Sequence, residues 1–242
     1  MDTTLDEILN GKIKLLQPIN GPRVNLDTIL LSSWVKFRNG HNNFIELGCA
    51  AGAITILLAL RNSKIRITGV DIQSELIELA NKNLALNNLD TSKINFKTGD
   101  LRDKNFLPTQ FYDAVIMNPP YTSKIHGRAN LSVSLKTARL DENCTPEDLA
   151  ITASRILKSR GRLFTVFNSE RVSEFLAVMS KNNLIPKRIK FIYPKQDLNS
   201  NIFLCECIKD AGAGTIILPP MIIYNLDGSY TQEVLKAYDL NT

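Results

Sequence analysis

The chain has 242 residues, of which 44% are hydrophobic and 22% are charged, and its formal net charge at pH 7 is +5. This composition excludes an intrinsically disordered chain, and the length is sufficient for one large domain with its own core. No apolar run approaches the roughly 20 residues of a membrane-spanning helix.

The cysteines and the N-terminal residues indicate the cellular compartment of the protein. Four cysteines do not make a disulfide framework, and Cys205 and Cys207 are spaced for one face of a strand rather than for a zinc site. The acidic N-terminus lacks the apolar core of a secretory signal. We therefore predict a soluble, cytoplasmic protein with no metal and no membrane partner.

Strands and helices alternate along most of the chain. Apolar and β-branched runs predict strands at 44–47, 65–70, 94–96, 114–117, 163–167, 188–193 and 202–208. Helical periodicity and capping residues predict helices at 53–60, after 74, at 145–158 and at 171–182. This order favours an α/β fold with a doubly wound, mostly parallel sheet and helices on both faces. We expect one domain at 43–211, an N-terminal extension at 1–42 and a C-terminal appendage at 212–242.

The first candidate site is the turn after the first of these strands, Glu46-Leu47-Gly48-Cys49-Ala50-Ala51-Gly52. Glycine permits positive φ and lets a ligand lie against bare backbone. In an open α/β sheet this turn borders the crevice in which ligands bind. The G-x-x-x-G spacing differs from the G-x-G-x-x-G of dinucleotide-binding proteins, and an ordinary tight turn is the alternative.

Two carboxylates follow later strands. Asp71 stands where a ribose diol is bound in nucleotide-binding folds, although a helix-capping aspartate is the alternative. Asp100 follows Gly99 after the next strand, where a carboxylate can accept a hydrogen bond from an adenine amino group. Together with Gly48, these residues have the order and spacing of an adenosine-binding crevice.

The motif Asn118-Pro119-Pro120-Tyr121 directly follows the strand at 114–117. Two prolines cannot donate ladder hydrogen bonds, so the strand must end there in a stiff turn. Such a turn can direct the Asn118 side-chain oxygen and the Pro119 carbonyl at one amino group, and Tyr121 offers a flat face for stacking. We predict that these four residues are catalytic.

Two basic segments without a carboxylate suggest a polyanionic partner. They are 122–139, inside an aperiodic stretch at 121–144, and 181–195. A solvated surface is the alternative interpretation. The candidate RNA-binding residues are Lys124, Arg128, Lys136, Arg139, Lys187, Arg188 and Lys190.

Over residues 20–240 these motifs resemble those of class I S-adenosylmethionine-dependent methyltransferases acting on planar amino groups. The stretch from Gln17 to Trp34, Thr137-Ala138-Arg139 and the segment 223–230 are similar to the bacterial tRNA(Val) adenine N6-methyltransferase family. Members of that family often carry His-Glu after the Ala-Arg pair, whereas Leu140-Asp141 follows here.

The resemblance implies a Rossmann-like methyltransferase fold, S-adenosylmethionine as cofactor and tRNA as partner. The expected acceptor is the exocyclic amino nitrogen of the adenine next to the anticodon. The turn at Gly48 would hold the methionine end of the cofactor, Asp71 the ribose and Asp100 with Leu101 the adenine, while Asp27 helps to close the pocket. The implied cofactor-binding residues are Asp27, Glu46, Gly48, Cys49, Ala50, Gly52, Asp71, Ile72, Asp100, Leu101 and Asn118.

Other functions share the Asn-Pro-Pro-Tyr motif. A protein glutamine N5-methyltransferase uses it because an amide nitrogen is also planar, but that family usually carries a longer helical N-terminal domain. DNA and ribosomal RNA amino methyltransferases are further alternatives. A catalytically silent RNA-binding module is the alternative from a different class, and the intact Asn118 and Asp71 argue against it.

Overall fold

The computed structural model describes residues 1–119 and 144–240, and its centre is a sheet of nine strands. An N-terminal hairpin, β1 (Thr3–Ile8) and β2 (Ile13–Pro18), forms a separate sheet. The central strands are β3 (Asn43–Leu47), β4 (Arg66–Asp71), β5 (Ile94–Thr98), β6 (Tyr112–Met117), β7 (Leu157–Asn168), β8 (Leu184–Tyr193), β9 (Ile202–Lys209), β10 (Ile216–Ile217) and β11 (Met221–Ile222). The described helices are α1 (Leu26–Trp34), α2 (Ala53–Arg61), α3 (Ser74–Leu86), α4 (Pro146–Ile156), α5 (Val172–Lys181) and α6 (Gln232–Ala237), with a 3-10 turn at Ser169–Arg171.

The sheet is mostly parallel, as predicted. Its order is β5-β4-β3-β6-β7-β9-β8-β10, and β11 also pairs with β8. Antiparallel pairing in this sheet occurs where β9 lies between β7 and β8. Leu47, at the end of β3, is in register with Val70 on β4 and Met117 on β6. The carboxyl ends of these three strands therefore lie side by side.

Both faces of the sheet are covered, because the side chains of successive strand residues point to opposite sides. Phe44, Ile116 and Phe164 are buried on one face together with residues of α1, α2 and α6. Val115 and Leu163 are buried on the other face together with residues of α4 and α5. The predicted doubly wound α/β fold with helices on both faces is confirmed.

The segment 1–42 contains regular structure that the sequence analysis did not predict. Besides the hairpin, it forms α1, which begins with a capping box in which the Thr28 backbone N–H donates to Asn25 Oδ1 at 3.1 Å. Leu30 and Leu31 of this helix are fully buried. The sequence does contain a signal for the start of α1, since Asn25 and Thr28 are spaced as a helix cap before an apolar run.

Several element boundaries differ from those predicted: β7 begins at Leu157 instead of residue 163, and β8 begins at Leu184 instead of residue 188. Thr145 and Asp148 form the expected capping box of α4, but the helix ends at Ile156 instead of continuing to about residue 158. It ends there because Leu157 already begins β7 and pairs with Tyr112 of β6; the register then shifts, and Ala114 pairs with Arg162. Cys205 and Cys207 share one face of β9, as their spacing predicts, with sulfur atoms 3.7 Å apart.

Candidate functional site

The structure brings three of the predicted motifs to one edge of the sheet. Gly48 follows β3, Asp71 ends β4 and Asn118 follows β6, and these three strands are neighbours. Because parallel strands end at the same edge, residues far apart in the sequence meet there. The expected crevice therefore exists at the carboxyl ends of β3, β4 and β6.

The glycine turn is held tightly against β4. The backbone N–H groups of Gly48 and Cys49 both donate to the Val70 carbonyl at 2.9 Å. Gly48 and Gly52 have φ values of +73° and +82°, which favour glycine. A Cβ on Gly48 would meet no atom within 4 Å, whereas one on Gly52 would lie 2.5 Å from the Phe96 ring. Gly48 thus presents backbone to open space, and Gly52 allows close packing.

Asp71 is buried beside this turn and fixes its shape. Its Oδ2 accepts a hydrogen bond from the Ala50 backbone N–H at 2.9 Å, and its Oδ1 accepts one from the Gln73 backbone N–H at 3.0 Å. Burial raises the pKa of Asp71, and the backbone hydrogen bonds oppose that rise. The Ile72 backbone and the Gln73 side chain also contribute hydrogen bonds that lower its pKa, so a ligand hydroxyl would share this carboxylate with them. The Ile72 side chain beside it is 48% exposed and offers an apolar surface.

Glu46 is a buried carboxyl group beneath the glycine turn. Its Oε2 accepts hydrogen bonds from the Thr55 backbone N–H at 2.8 Å and from Thr55 Oγ1 at 2.6 Å. Burial raises the pKa of Glu46 to about 8, although the Thr55 bonds lower it. A cation bound next to this group would favour its ionised form.

A cavity of about 110 Å³ lies between the glycine turn and the N-terminal segment. It is smaller than the roughly 300–1,000 Å³ of pockets that enclose a whole ligand of cofactor size, so such a ligand would also extend along the open edge. The lining residues are Leu15, Gln17, Pro22, Arg23, Val24, Thr28, Glu46, Gly48, Cys49, Ala50, Ala51, Ala53, Ile54 and Asn118.

Three of these polar lining residues were not predicted: Gln17, Arg23 and Thr28. The Gln17 amide donates to Asp6 and accepts from the Val24 backbone N–H at 2.6 Å. Arg23 donates to the Pro18 carbonyl at 2.8 Å and pairs with Asp6. Only Gln17 belongs to the hairpin, whereas Arg23 precedes α1 and Thr28 lies in it. Their sequence signal is weak, because this segment reaches the pocket only through long-range packing.

The remaining predicted cofactor-binding residues make contacts within the chain or lie in the glycine turn or in α1. The Asp100 carboxylate is bound by the Arg102 guanidinium, whose hydrogen bonds lower the Asp100 pKa. The Leu101 carbonyl accepts a hydrogen bond from Thr152 Oγ1 at 2.9 Å. The Cys49 thiol is buried, so that residue contributes mainly backbone to the turn, and Asp27 lies half-buried in the first turn of α1.

The predicted RNA-binding residues of β8 have partners within the chain. Lys187 donates to the Gly212 and Ala213 carbonyls, and Lys190 pairs with Glu233. Arg188 pairs with Glu206 at 2.9 Å, and its guanidinium lies 4.6 Å from the Trp34 ring centroid. Their contact with RNA stays a prediction. The other predicted residues, Pro120, Tyr121, Lys124, Arg128, Lys136 and Arg139, lie outside the described residues.

Within 1–119 and 144–240, no helix is long and apolar enough to cross a membrane. In the same residues, no group of three or more His, Cys, Asp or Glu side chains is arranged to hold a metal ion.

Comparison with known proteins places this site in context. The family model of the methyltransferase small domain matches residues 23–191. A tRNA1(Val) (adenine(37)-N6)-methyltransferase of Vibrio vulnificus is 27% identical over 157 residues, which cover 65% of this chain and 63% of that protein. The protein of the same name from Mannheimia succiniciproducens is 24% identical over 225 residues, covering 88% of this chain and 84% of the relative.

Solved structures share the fold. A predicted O-methyltransferase from Agrobacterium tumefaciens superposes with a TM-score of 0.72 at 24% identity, covering 89% of this chain and 97% of the other. A geranyl diphosphate methyltransferase in complex with sinefungin superposes with a TM-score of 0.55 at 14% identity. The match covers 75% of this chain and 77% of the other. At these identities the likeness concerns the fold alone.

Proposed function

The chain belongs to the methyltransferase small domain family, and we propose that it transfers a methyl group from S-adenosylmethionine to an adenine of tRNA. The acceptor is the exocyclic amino nitrogen, and the adenine is the one next to the anticodon of tRNA(Val). The observation that carries the proposal is that Gly48, Glu46 and Asn118 line one cavity at the carboxyl edge of the sheet. The names of relatives at 24–27% identity support the choice of acceptor.

The residues present fit the amino-acid end of S-adenosylmethionine. That end carries a carboxylate and an ammonium group, and the cavity offers the Arg23 guanidinium and the Glu46 carboxyl group. The bare backbone at Gly48 leaves space for the chain between them. Glu46, which is protonated at neutral pH when buried without a cation, would ionise opposite the ammonium group.

The nucleoside end of S-adenosylmethionine fits the residues at the end of β4. Asp71 would accept hydrogen bonds from the ribose hydroxyls alongside its present donors, and the exposed Ile72 offers an apolar surface for a planar base. Asp100 and Leu101 lie beyond the end of β5 for the adenine, although the Asp100 carboxylate would have to share its contacts with Arg102. When bound, the cofactor supplies an electrophilic methyl group close to Asn118.

Asn118 and Pro119 have the chemistry to activate an amino group. The amino nitrogen of adenine is a weak nucleophile, because its lone pair is delocalised into the ring. Hydrogen bonds from that amine to the Asn118 side-chain oxygen and the Pro119 carbonyl favour a pyramidal nitrogen with a localised lone pair. Positioning and these polar contacts then provide most of the acceleration. We assign stacking of the base to Tyr121 and the turn itself to Pro120, on the family resemblance.

The two terminal segments complete the proposal. The segment 1–42 closes the cofactor pocket, which is supported by the lining residues Arg23 and Thr28. The segment 212–242 packs on the domain at 43–211, which is supported by the burial of Val234 in the core that includes Phe44. A tRNA substrate also supports the cytoplasmic location expected from the sequence.

The experiment that tests the proposal is methyl transfer to an unmodified tRNA(Val) transcript, followed by nucleoside analysis. The expected product is N6-methyladenosine at the position next to the anticodon. A matched transcript with guanine at that position should accept no methyl group. Methylation of a protein glutamine instead, or no transfer to either transcript, would contradict the proposal.

A further inference from the structure

Five cationic side chains lie near the amino-terminal edge of the sheet, on the side opposite Gly48 and Asn118, and a sixth, Arg188 in the middle of β8, is joined to them through Glu206. Two of them lie in the connection between α1 and β3, three in the first half of β7 and one on β8. We call this group the basic edge; it consists of Lys36, Arg38, Lys158, Arg160, Arg162 and Arg188.

The charges of the basic edge are close enough to affect one another. The positive charge of Arg188 lowers the pKa of Lys36, together with burial and the charge of Arg38. Burial lowers the pKa of Arg162 to about 10, and the charges of Arg38, Arg188 and Arg160 add to the effect. These like charges repel one another.

The carboxylates at the basic edge leave half of its cations without an ion pair. Glu206 is buried and pairs with both Arg162 and Arg188. Asp113 pairs with Lys158 at 2.7 Å. Two carboxylates against six cations leave an excess that accounts for most of the chain's net charge of +5.

The other three cations of the group can face a partner, although Arg160 Nη1 also donates to the Asp210 carbonyl at 3.5 Å. Lys36, Arg38 and Arg160 are exposed, and none forms an ion pair with any residue of the described ranges. Guanidinium groups favour phosphate because their donors match its oxygens in pairs. A cluster of exposed, unpaired cations of this kind is typical of a surface that binds a polyanion.

We propose that the basic edge binds backbone phosphates of the tRNA substrate, a role that rests on the proposed function and adds a second contact region to it. The five residues of β3 separate this edge from Gly48 by about 16 Å, at roughly 3.3 Å per residue. The contact is therefore with phosphates remote from the methylated base. It contributes affinity independent of base sequence and leaves recognition of the adenine to the catalytic edge.

The test compares two double variants with equal loss of charge. Lys36→Gln/Arg38→Gln removes two cations of the basic edge, whereas Lys12→Gln/Lys82→Gln removes two exposed lysines of the hairpin turn and α3. Binding of an unmodified tRNA(Val) transcript is measured over a series of salt concentrations. Each phosphate contact contributes about 0.7 to 0.9 to the slope of log K against log salt.

The basic-edge variant should flatten the slope by about 1.4 to 1.8, and at ~0.1 M salt its affinity should fall roughly 25- to 60-fold. The control variant should keep the slope of the unmodified protein. Affinity for S-adenosylhomocysteine and the melting temperature should be the same in all three proteins. An anticodon stem-loop fragment, which lacks the remote phosphates, should discriminate less between the variants.

The inference is overturned if both double variants bind the transcript equally, or if the unmodified protein does not bind it at low salt. Loss of binding to phosphatidylserine vesicles without loss of tRNA binding would assign the basic edge to membranes instead. The proposed function fails separately: a protein that binds tRNA with the expected slopes but forms no N6-methyladenosine would refute that function and leave the basic edge as an RNA contact.

Discussion

The buried amide of Asn83 on α3 binds both backbone groups of Leu16 on β2. Its Oδ1 accepts from the Leu16 N–H at 2.7 Å, and its Nδ2 donates to the Leu16 carbonyl at 3.0 Å. The same Nδ2 donates to the Ala51 carbonyl in the glycine turn at 3.0 Å. One side chain thus joins the hairpin to the turn that borders the candidate cofactor pocket.

Replacing Asn83 by alanine should therefore affect both stability and ligand binding. A buried group that loses its hydrogen-bond partner costs about 1–3 kcal/mol, and we expect a loss of that size in the free energy of unfolding. Affinity for S-adenosylhomocysteine should fall, because Asn83 holds Leu16, and its neighbours Leu15 and Gln17 line the pocket. Urea unfolding measures the stability, and calorimetry measures the affinity. Asn87→Ala is the control, since Asn87 makes similar contacts with Lys14 at an exposed position; equal effects of the two substitutions would argue against the role of Asn83.

Gly52→Ala should destabilise the fold more than Gly48→Ala. Both residues have positive φ, for which an L residue pays about 1–2 kcal/mol. At Gly52 the new Cβ also meets the Phe96 ring, and overpacking typically costs a further 1–3 kcal/mol. Gly48→Ala should instead weaken cofactor binding, because its Cβ points into open space. Thermal unfolding with and without S-adenosylhomocysteine separates the two effects; an equal loss of stability would contradict the contact with Phe96.

The buried Glu46 predicts a specific dependence of stability on pH. Its pKa is about 8 in the folded state, against an ordinary value of 4.5. Between these values the folded state holds a proton that the unfolded state has released, so the free energy of unfolding falls as pH rises. We expect Glu46 to contribute a loss of roughly 2 kcal/mol between about pH 6 and pH 8. In urea unfolding at several pH values, the Glu46→Gln variant should lack this loss of stability. If its free energy of unfolding depends on pH as in the unmodified protein, Glu46 is not the group responsible.

Asp71→Asn should weaken the binding of S-adenosylhomocysteine by roughly 1.5–3 kcal/mol, the range for hydrogen bonds to a charged group. Because the carboxylate also binds the Ala50 and Gln73 N–H groups, the melting temperature of the free protein must be measured with it. Asp90→Asn, at an exposed position next to Ser92, is the control for the change in charge. Unchanged affinity in calorimetry would remove Asp71 from the site.

Asn118→Ala should lower the single-turnover rate of methyl transfer by ~100- to 1,000-fold, as for other preorganised polar groups. Affinity for tRNA should change little, because phosphate contacts lie elsewhere. Tyr121→Ala should lose base stacking worth about 1–3 kcal/mol, whereas Tyr121→Phe keeps the flat ring and should retain most of the rate. A normal chemical rate in Asn118→Ala would overturn the mechanism.

The predicted strands and helices from residue 43 to residue 209 were found with shifts of their ends, the largest at the start of β7, which begins at Leu157 instead of residue 163. The periodicity of apolar residues fixes which side of an element is buried, and that information is local. The hairpin and α1 were not predicted: the two short strands and the nine-residue helix carry weak periodic signals, and the cap at Asn25 and Thr28 was the one local sign of the helix. Their stability comes from packing against α2 and α3, which local patterns do not encode.

By itself, the sequence determined that Gly48, Asp71 and Asn118 follow three strands of one parallel sheet, and their meeting at its carboxyl edge follows from that topology. Only the tertiary structure decided that Arg23 enters the pocket and that Arg188 pairs with the buried Glu206. The physical reason is that a charge is exposed or neutralised according to what packs opposite it. That partner lies on a distant segment, so neither composition nor spacing along the chain can identify it.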